Sequence, residues 1–201
     1  MRIVMTSKAE ETRTRVLDAA ARLFAERGLE AVSIQDIRDA SGVSNGSIFH
    51  HFGSKNGVAL HVYLDERRAY WNHAIAALEA HEGDPIDALA AAVRATLAYQ
   101  EANPKRHNFM IECASSTWTR AHAAPVQALN AEFTQRFLAW GAPHAMAGRL
   151  RPIDPQLVAA LVFGPSQWLA RSWLTGLTPE PPTHYADRLV ELVTSALRPA
   201  P

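Results

Sequence analysis

The chain has 201 residues, 48% of them apolar, with 20 Lys/Arg against 20 Asp/Glu. That length allows one large or two small domains with an adequate core, and that composition argues against disorder. Zero net charge argues against a general polyanion or membrane-surface binder, and the single cysteine excludes an intrachain disulfide or a cysteine zinc cluster.

No apolar run is long enough to span a bilayer, and the opening MRIVMTSKAE is too short and too polar for a signal peptide. Met5 offers an alternative start to Met1. A soluble, cytoplasmic protein is expected, which also suits the lone cysteine.

In chain order, Thr12 to Gly28 reads as a first helix. Ser33 is then an N-cap candidate, with Asp36 three residues on as a near-capping-box, and Ile34 and Ile37 give a short second helix its buried face. Gly42 supplies the left-handed turn, Val43 plugs the angle between helices, and Ser44 caps a third. Asn45, Gly46, Ser47, Phe49 and His50 lie on that third helix, polar at its start and aromatic at its end. Ser54 opens a long helix to about His81, so its backbone N–H groups and Lys55 together form a phosphate seat. This is the pattern of a helix-turn-helix DNA reader, whose second helix enters the major groove.

The remainder reads as helix after helix, without internal repeats. Gly83 breaks the long helix, and Asp84-Pro85 caps the next, which extends to about Ala102. Asn103-Pro104 starts a shorter one carrying Phe109, Met110, Ile111 and Cys113. Another runs from about Ala124 to Trp140, punctuated at its end by Gly141 and Pro143. Asp154-Pro155 opens a helix closed by Gly176, with Gly164 and Pro165 expected to bend it. Pro179, Pro181 and Pro182 form a stiff connector to a last helix over about Thr183–Leu197. The expected fold is all-α, with about nine helices: a three-helix reader over residues 1–55 and a second helical domain over 56–201.

The segments Leu17 to Gly28, Ser33, Ile37, Gly42-Val43-Ser44, Phe49-His50-His51-Phe52 and Ser54-Lys55 together resemble the DNA-binding domain of the TetR family of bacterial transcriptional regulators. The resemblance covers about the first quarter of the chain; beyond it the likeness is in length and helical character. It implies that residues 56–201 form an effector-binding and dimerisation domain, and that the homodimer represses from a palindromic operator and is released by a small-molecule effector, with no cofactor and no metal. Two positions depart from the family. Phe49 replaces a tyrosine whose hydroxyl usually meets a DNA phosphate, and Asn45 replaces a frequent lysine, which should shallow the salt dependence.

Charge supports DNA binding only through placement. Residues 1–60 hold eight Lys/Arg and seven Asp/Glu, but Arg2, Lys8, Arg13 and Arg15 lie at or before the first helix, within reach of adjacent phosphates. Gly42, Val43, Ile34, Ile37 and Phe52 read as fold-makers, and Ser33, Ser44 and Ser54 as caps first. The candidate DNA contacts are Ser33, Ser44, Asn45, Gly46, Ser47, Phe49, His50 and Lys55, of which Asn45, Ser47, His50 and Lys55 have the least structural reason to be there.

For the dimer interface, the family points to the last two helices and to Leu161, Trp168, Tyr185, Leu189, Leu192, Val193 and Ala196. The competing reading packs these stripes within one subunit. For the effector pocket, the candidates are Tyr99, Phe109, Met110, Cys113, Trp118, Phe137, Gln167, Trp168 and Arg171, an aromatic and methionine lining suited to apolar or planar ligands. Aromatics at helical spacing are more often plain core. Asn108 and Glu112 are further polar residues in apolar surroundings.

Enzyme chemistry is not expected. Cys113 and His107 are six apart and do not share a helical face; no phosphate-cradling glycine loop, Gly-x-Ser-x-Gly or His-Glu-x-x-His occurs. The alternatives to an effector-released repressor are an effector-independent helical DNA-binding or architectural protein, or an activator. Effector, operator and regulated genes are not encoded in any recognisable motif.

Overall fold

A computed structural model describes residues 8–114 and 116–199; Arg2 and Met5 lie outside the described residues. These residues form ten α-helices: α1 (Lys8–Arg27), α2 (Ile34–Ser41), α3 (Asn45–Phe52), α4 (Lys55–Glu79), α5 (Pro85–Ala102), α6 (Pro104–Cys113), α7 (Ser116–Ala121), α8 (Ala123–Met146), α9 (Pro155–Leu174) and α10 (Ala186–Leu197), with one 3-10 turn over Pro182–Tyr185. The chain is all-α, with an N-terminal helix-turn-helix and a C-terminal helical bundle.

Two compact units divide the chain: residues up to Glu66 together with Lys105–His122, and Arg67–Pro104 together with Ala123 onward. The first is built on one face of α1, where Val16, Ala19, Ala20, Leu23 and Phe24 are buried at the three-and-four spacing of an amphipathic helix. Ile37 of α2, Ile48 and Phe52 of α3, Val58 and Val62 of α4, and Phe109 of α6 are buried in the same unit. The Phe24 and Phe109 rings stack, 3° from parallel with centroids 5.2 Å apart.

In the second unit α5 is the central helix and packs against α9 and α10. Asp84 caps it by accepting from the Ile86 N–H, and Pro85 sits at its first turn, where a missing donor costs nothing. Ile86, Leu89, Val93 and Leu97 are almost wholly buried. Beside them Trp71 stacks on Phe133 at 4.0 Å, and the Phe163 ring meets both edge-on at 5.2 Å.

Two sequence expectations change. The helix expected to stop at Trp140 continues through Gly141 and Pro143 to Met146. A proline removes one i→i−4 bond, but that loss is tolerable near a helix end, and the stop comes instead at Gly148, with φ +68°. The stretch expected as one last helix is divided into the 3-10 turn and α10. The short α7 had no start or stop signal in the sequence.

Candidate nucleic-acid interface

The turn between α2 and α3 is fixed by local chemistry. Ser33 caps α2 in a complete capping box: its Oγ accepts from the Asp36 N–H at 3.1 Å, and Asp36 Oδ2 accepts from the Ser33 N–H at 2.8 Å. The Ser33 hydroxyl also bonds Asp36, and these contacts, aided by Arg27, hold the Asp36 carboxyl below its usual range. Asp as the third helical residue thus does the work of the Glu or Gln more usual there.

Gly42 ends α2 in the left-handed region (φ +66°), its N–H returning to Arg38 O at 2.8 Å. A Cβ there would also lie 2.9 Å from Arg15 Nη2, which itself donates to Ser41 O at 2.7 Å. The backbone conformation demands glycine, while the Arg15 side-chain end could shift aside for a Cβ. Val43 is buried beside it, and Ser44 Oγ caps α3 by accepting from the Ser47 N–H at 3.3 Å.

On α3, 100° per residue puts Ile48 and Phe52 together on one face, and both are buried. Gly46, Phe49 and His50 turn away from that face and are exposed; Asn45, three residues before Ile48 and seven before Phe52, shares its azimuth but is exposed as the first residue of the helix, and Ser47 is half-buried. Phe49 keeps 49% of its surface, a large apolar side chain turned to solvent. A Cβ on Gly46 would meet nothing within 4 Å, so no neighbour within the chain requires a glycine there.

Several cations that sequence alone left free have partners. Arg13 lies 4.9 Å over the Phe52 ring, with Nη1 directed at His51 O at 3.4 Å. Arg13 and Arg15 therefore sit at carbonyls near the ends of α3 and α2, where a cation complements the helix dipole. Lys55 Nζ donates to Leu29 O at 3.0 Å and Glu30 O at 3.4 Å, tying the start of α4 to the α1–α2 turn. Ser54 Oγ accepts from the Gly57 N–H at 3.0 Å, as a cap should.

Gly57 is a residue whose role the sequence did not disclose. A Cβ on it would lie 1.8 Å from Phe52 O, so α4 can approach the end of α3 only with glycine at this point. Glu112 is another: its Oε2 accepts from the Leu29 N–H at 3.1 Å.

The nine effector-pocket candidates are dispersed. Phe109, Met110, Cys113 and Trp118 belong to the first unit; Tyr99, Phe137, Gln167, Trp168 and Arg171 belong to the second. Phe109 and Met110 are core, and burial together with the neighbouring Glu112 charge pushes the Cys113 thiol up to about 12, which makes it a poor nucleophile. Trp118 lines a first-unit groove with Leu29 and His122. Phe137 lines an apolar cleft in the second unit, Tyr99 is half-buried with its ring 5.9 Å from Tyr70, and Trp168 and Arg171 face outward.

The dimer candidates divide as well. Leu189 and Val193 are buried against their own subunit, at 7% and 1% exposure, because α10 packs its strongest apolar face on α5. Trp168 and Leu192 are exposed at 63% and 69%; Leu161, Tyr185 and Ala196 are half-buried. Among the described residues there is no cluster of three or more metal-ligand side chains, and no helix is long and apolar enough to cross a membrane.

Capped helices joined at a left-handed glycine, the second presenting a polar and aromatic face, define a helix-turn-helix transcription-regulator architecture. Residues 16–62 match the family of bacterial regulatory proteins, tetR family, so the chain carries that family's N-terminal DNA-binding domain and resembles the TetR family. Over 106 residues it is 38% identical to the HTH-type transcriptional repressor KstR2 of Rhodococcus jostii (strain RHA1), covering 48% of this chain and 52% of that protein. The chain thus spans about half the length of that curated relative. The fold is similar to the TetR family transcriptional regulator PfmR from Thermus thermophilus, with TM-score 0.63 and 26% identity over 90% of this chain and 97% of that one. It is similar also to a TetR family transcription regulator from Marinobacter aquaeolei VT8, with TM-score 0.73 and 18% identity over 94% and 97%.

Proposed function

We propose that this chain is a transcriptional repressor that binds a palindromic operator as a homodimer and is released by a small-molecule effector. The observation that carries the reading is the exposed surface of α3: Gly46, Phe49 and His50 turn away from the face anchored by Ile48 and Phe52, and Asn45 is exposed as the helix's first residue. Asn45 and His50 can hydrogen-bond base edges, and Gly46 lets the backbone approach closely. Ser33, Ser44 and Ser47 add hydroxyls at helix N-termini, which suit phosphate. Lys55 can reach phosphate with the one ammonium hydrogen its two carbonyl contacts leave over. Repression, rather than activation, is favoured by similarity to a repressor.

Dimerisation is supported by α9, where Leu157, Leu161, Gly164 and Trp168 follow helical spacing and leave two large apolar side chains, Leu157 and Trp168, each 63% exposed. Leu192 extends this patch in composition from α10. Two subunits would set half-sites about one helical turn, ~34 Å, or a multiple of it apart.

An effector is supported by the Trp71 indole. It is 7% exposed, and its Nε1 has no acceptor among the described residues. A buried donor is costly to leave unmade, and a ligand oxygen would satisfy it. An effector-independent DNA binder would instead keep its operator whatever metabolite is added.

The test is fluorescence anisotropy on DNA from upstream of the coding region, with scrambled DNA and a salt series as controls. Saturable binding at two chains per site, at least about a hundredfold tighter than to the scramble, is the expected result. Equal affinity for both fragments, followed by failure of an unbiased selection to yield any preferred sequence, would overturn the reading.

A further inference from the structure

The second unit holds a cleft of about 360 Å³, within the size range of small-molecule sites. Its walls are Phe137 and Trp140 of α8, Leu150 of the following loop and Leu197 of α10. No carboxylate lines it, and Arg151, the one residue of the lining with a charged side chain, is exposed and makes no ion pair among the described residues. The nearby carboxylate on this loop, Asp154, stands at the head of α9 and is not part of the lining. Burial, and then the charge of Arg149, a second cation of the loop, hold the His144 imidazole below its usual range.

Gly141 gives a second, independent indication. It lines the cleft from inside α8, where glycine is a poor helix former. Yet a Cβ built on it would meet nothing within 4 Å. Packing within the chain therefore gives no reason for glycine here, and space in the cleft is what its absence of a side chain preserves.

We infer that this cleft binds an apolar monocarboxylate, with its hydrocarbon body between Phe137, Trp140 and Leu197 and its carboxylate at Arg151. An apolar interior with one unpaired cation at its edge selects an anionic head over a neutral or cationic one, because the guanidinium can fork two N–H donors onto a carboxylate. The inference concerns ligand binding alone and does not rest on the DNA-binding reading.

Decanoate, decanol and decyltrimethylammonium, titrated by calorimetry into the full chain without DNA, test it. Decanoate should bind at one per chain, tightening about fourfold for each methylene from hexanoate upward. Decanol should bind about fivefold more weakly and the cation more weakly still. Arg151→Gln should lose about that same factor for decanoate and nothing for decanol. Gly141→Leu should abolish binding of both while its thermal midpoint does not fall, which separates a filled cleft from an unfolded chain. Absence of decanoate binding, equal affinity for all three head groups, or unchanged affinity in Gly141→Leu would overturn the proposal. So would decanoate affinity that falls as the chain is concentrated, since a second copy would then be the occupant of the cleft.

Discussion

Glu112 of α6 accepts the Leu29 backbone N–H at 3.1 Å, on the opposite side of the same residue from Lys55, whose ammonium donates to Leu29 O at 3.0 Å. The α1–α2 turn is thereby held by an acceptor and a donor from two other helices of its own unit. Asn108 steadies the carboxylate by donating to its Oε1 at 2.9 Å, and a Cβ on Gly28 (φ +80°) would lie 3.2 Å from its Oε2. Leu29 itself is buried, so its amide has little recourse to water. Because this turn leads directly into the Ser33 cap, its position sets the placement of α2 and α3.

Glu112→Ala should therefore lower stability by about 1–2 kcal/mol, the cost of leaving a partly buried N–H unmade. Glu112→Gln keeps an acceptor and should recover most of that loss. Urea denaturation of the three proteins gives the comparison. Equal midpoints for Ala and wild type would mean that water replaces the carboxylate freely.

Lys55→Ala should cost about 1 kcal/mol through the lost carbonyl contacts, and weaken binding to every DNA sequence alike with a salt slope shallower by about one. Since Lys55 and Glu112 hold one turn, the double variant should lose measurably less or more than the sum of the singles, by about 0.5 kcal/mol or above. Strict additivity in a double-mutant cycle would show that the two contacts act independently. A DNA effect confined to the operator would assign Lys55 to base recognition.

How much of this was readable in advance depends on whether the cause was local. The Ser33 box, the Gly42 turn, the Ser44 cap and the Asp84-Pro85 start are decided within four residues, and the sequence shows them. The face of α3 follows from its period alone, so the exposure of Phe49 and His50 was legible too, whereas Asn45 shares the period of the buried Ile48 and Phe52 and is exposed as the helix's first residue. The Glu112–Leu29 bond joins residues 83 apart, and nothing in the spacing of either announces the other. Gly57 reads as an ordinary helical glycine until Phe52 O is found where its side chain would be. Aromatic content likewise says that rings are buried, but not which: Phe109 stacks on Phe24, whereas Phe137 lines a cleft. The apolar residues of α10 read as one stripe, yet α5 takes Leu189 and Val193 and leaves Leu192 outside.

The acid limb of stability should carry the signature of Glu66. Burial raises its carboxyl above the usual 4.5, outweighing the opposing pull of Arg106, whose Nη1 lies 3.1 Å away. A carboxyl raised in the folded state binds protons more tightly there than in the unfolded chain. Its contribution to stability is thus full below about pH 4.5 and is lost as pH rises through the folded value. The difference in unfolding free energy, wild type minus Glu66→Gln, should fall over that window and then level off. A difference that rises with pH would reverse the sign of the shift and make the Arg106 pair the dominant influence. Asp36 acts in the opposite sense, losing its contribution as pH falls through its lowered value, but it cancels between the two proteins.

His50→Ala removes an exposed side chain whose nearest ring contact is His51, at 5.3 Å between centroids. Stability should change by no more than ~0.5 kcal/mol, while operator affinity falls about tenfold or more, as for loss of a base contact. Thermal melting and anisotropy on the same preparation separate the two effects. Unaltered operator binding would remove His50 from the contact surface.

Gly46 and Gly57 should respond to alanine in opposite ways, although they are eleven positions apart on consecutive helices. At Gly57 the new methyl would lie 1.8 Å from the Phe52 carbonyl, a backbone atom that cannot yield without moving the end of α3. Gly57→Ala should then destabilise by roughly 3 kcal/mol or more, beyond ordinary overpacking. At Gly46 the methyl meets only solvent and restricts the unfolded chain, so Gly46→Ala should gain about 0.5–1 kcal/mol. The same methyl would stand between α3 and a groove floor, so operator affinity should drop even as the melting temperature rises. A more stable Gly46→Ala protein that binds operator as tightly as wild type would show that the backbone never approaches the DNA there.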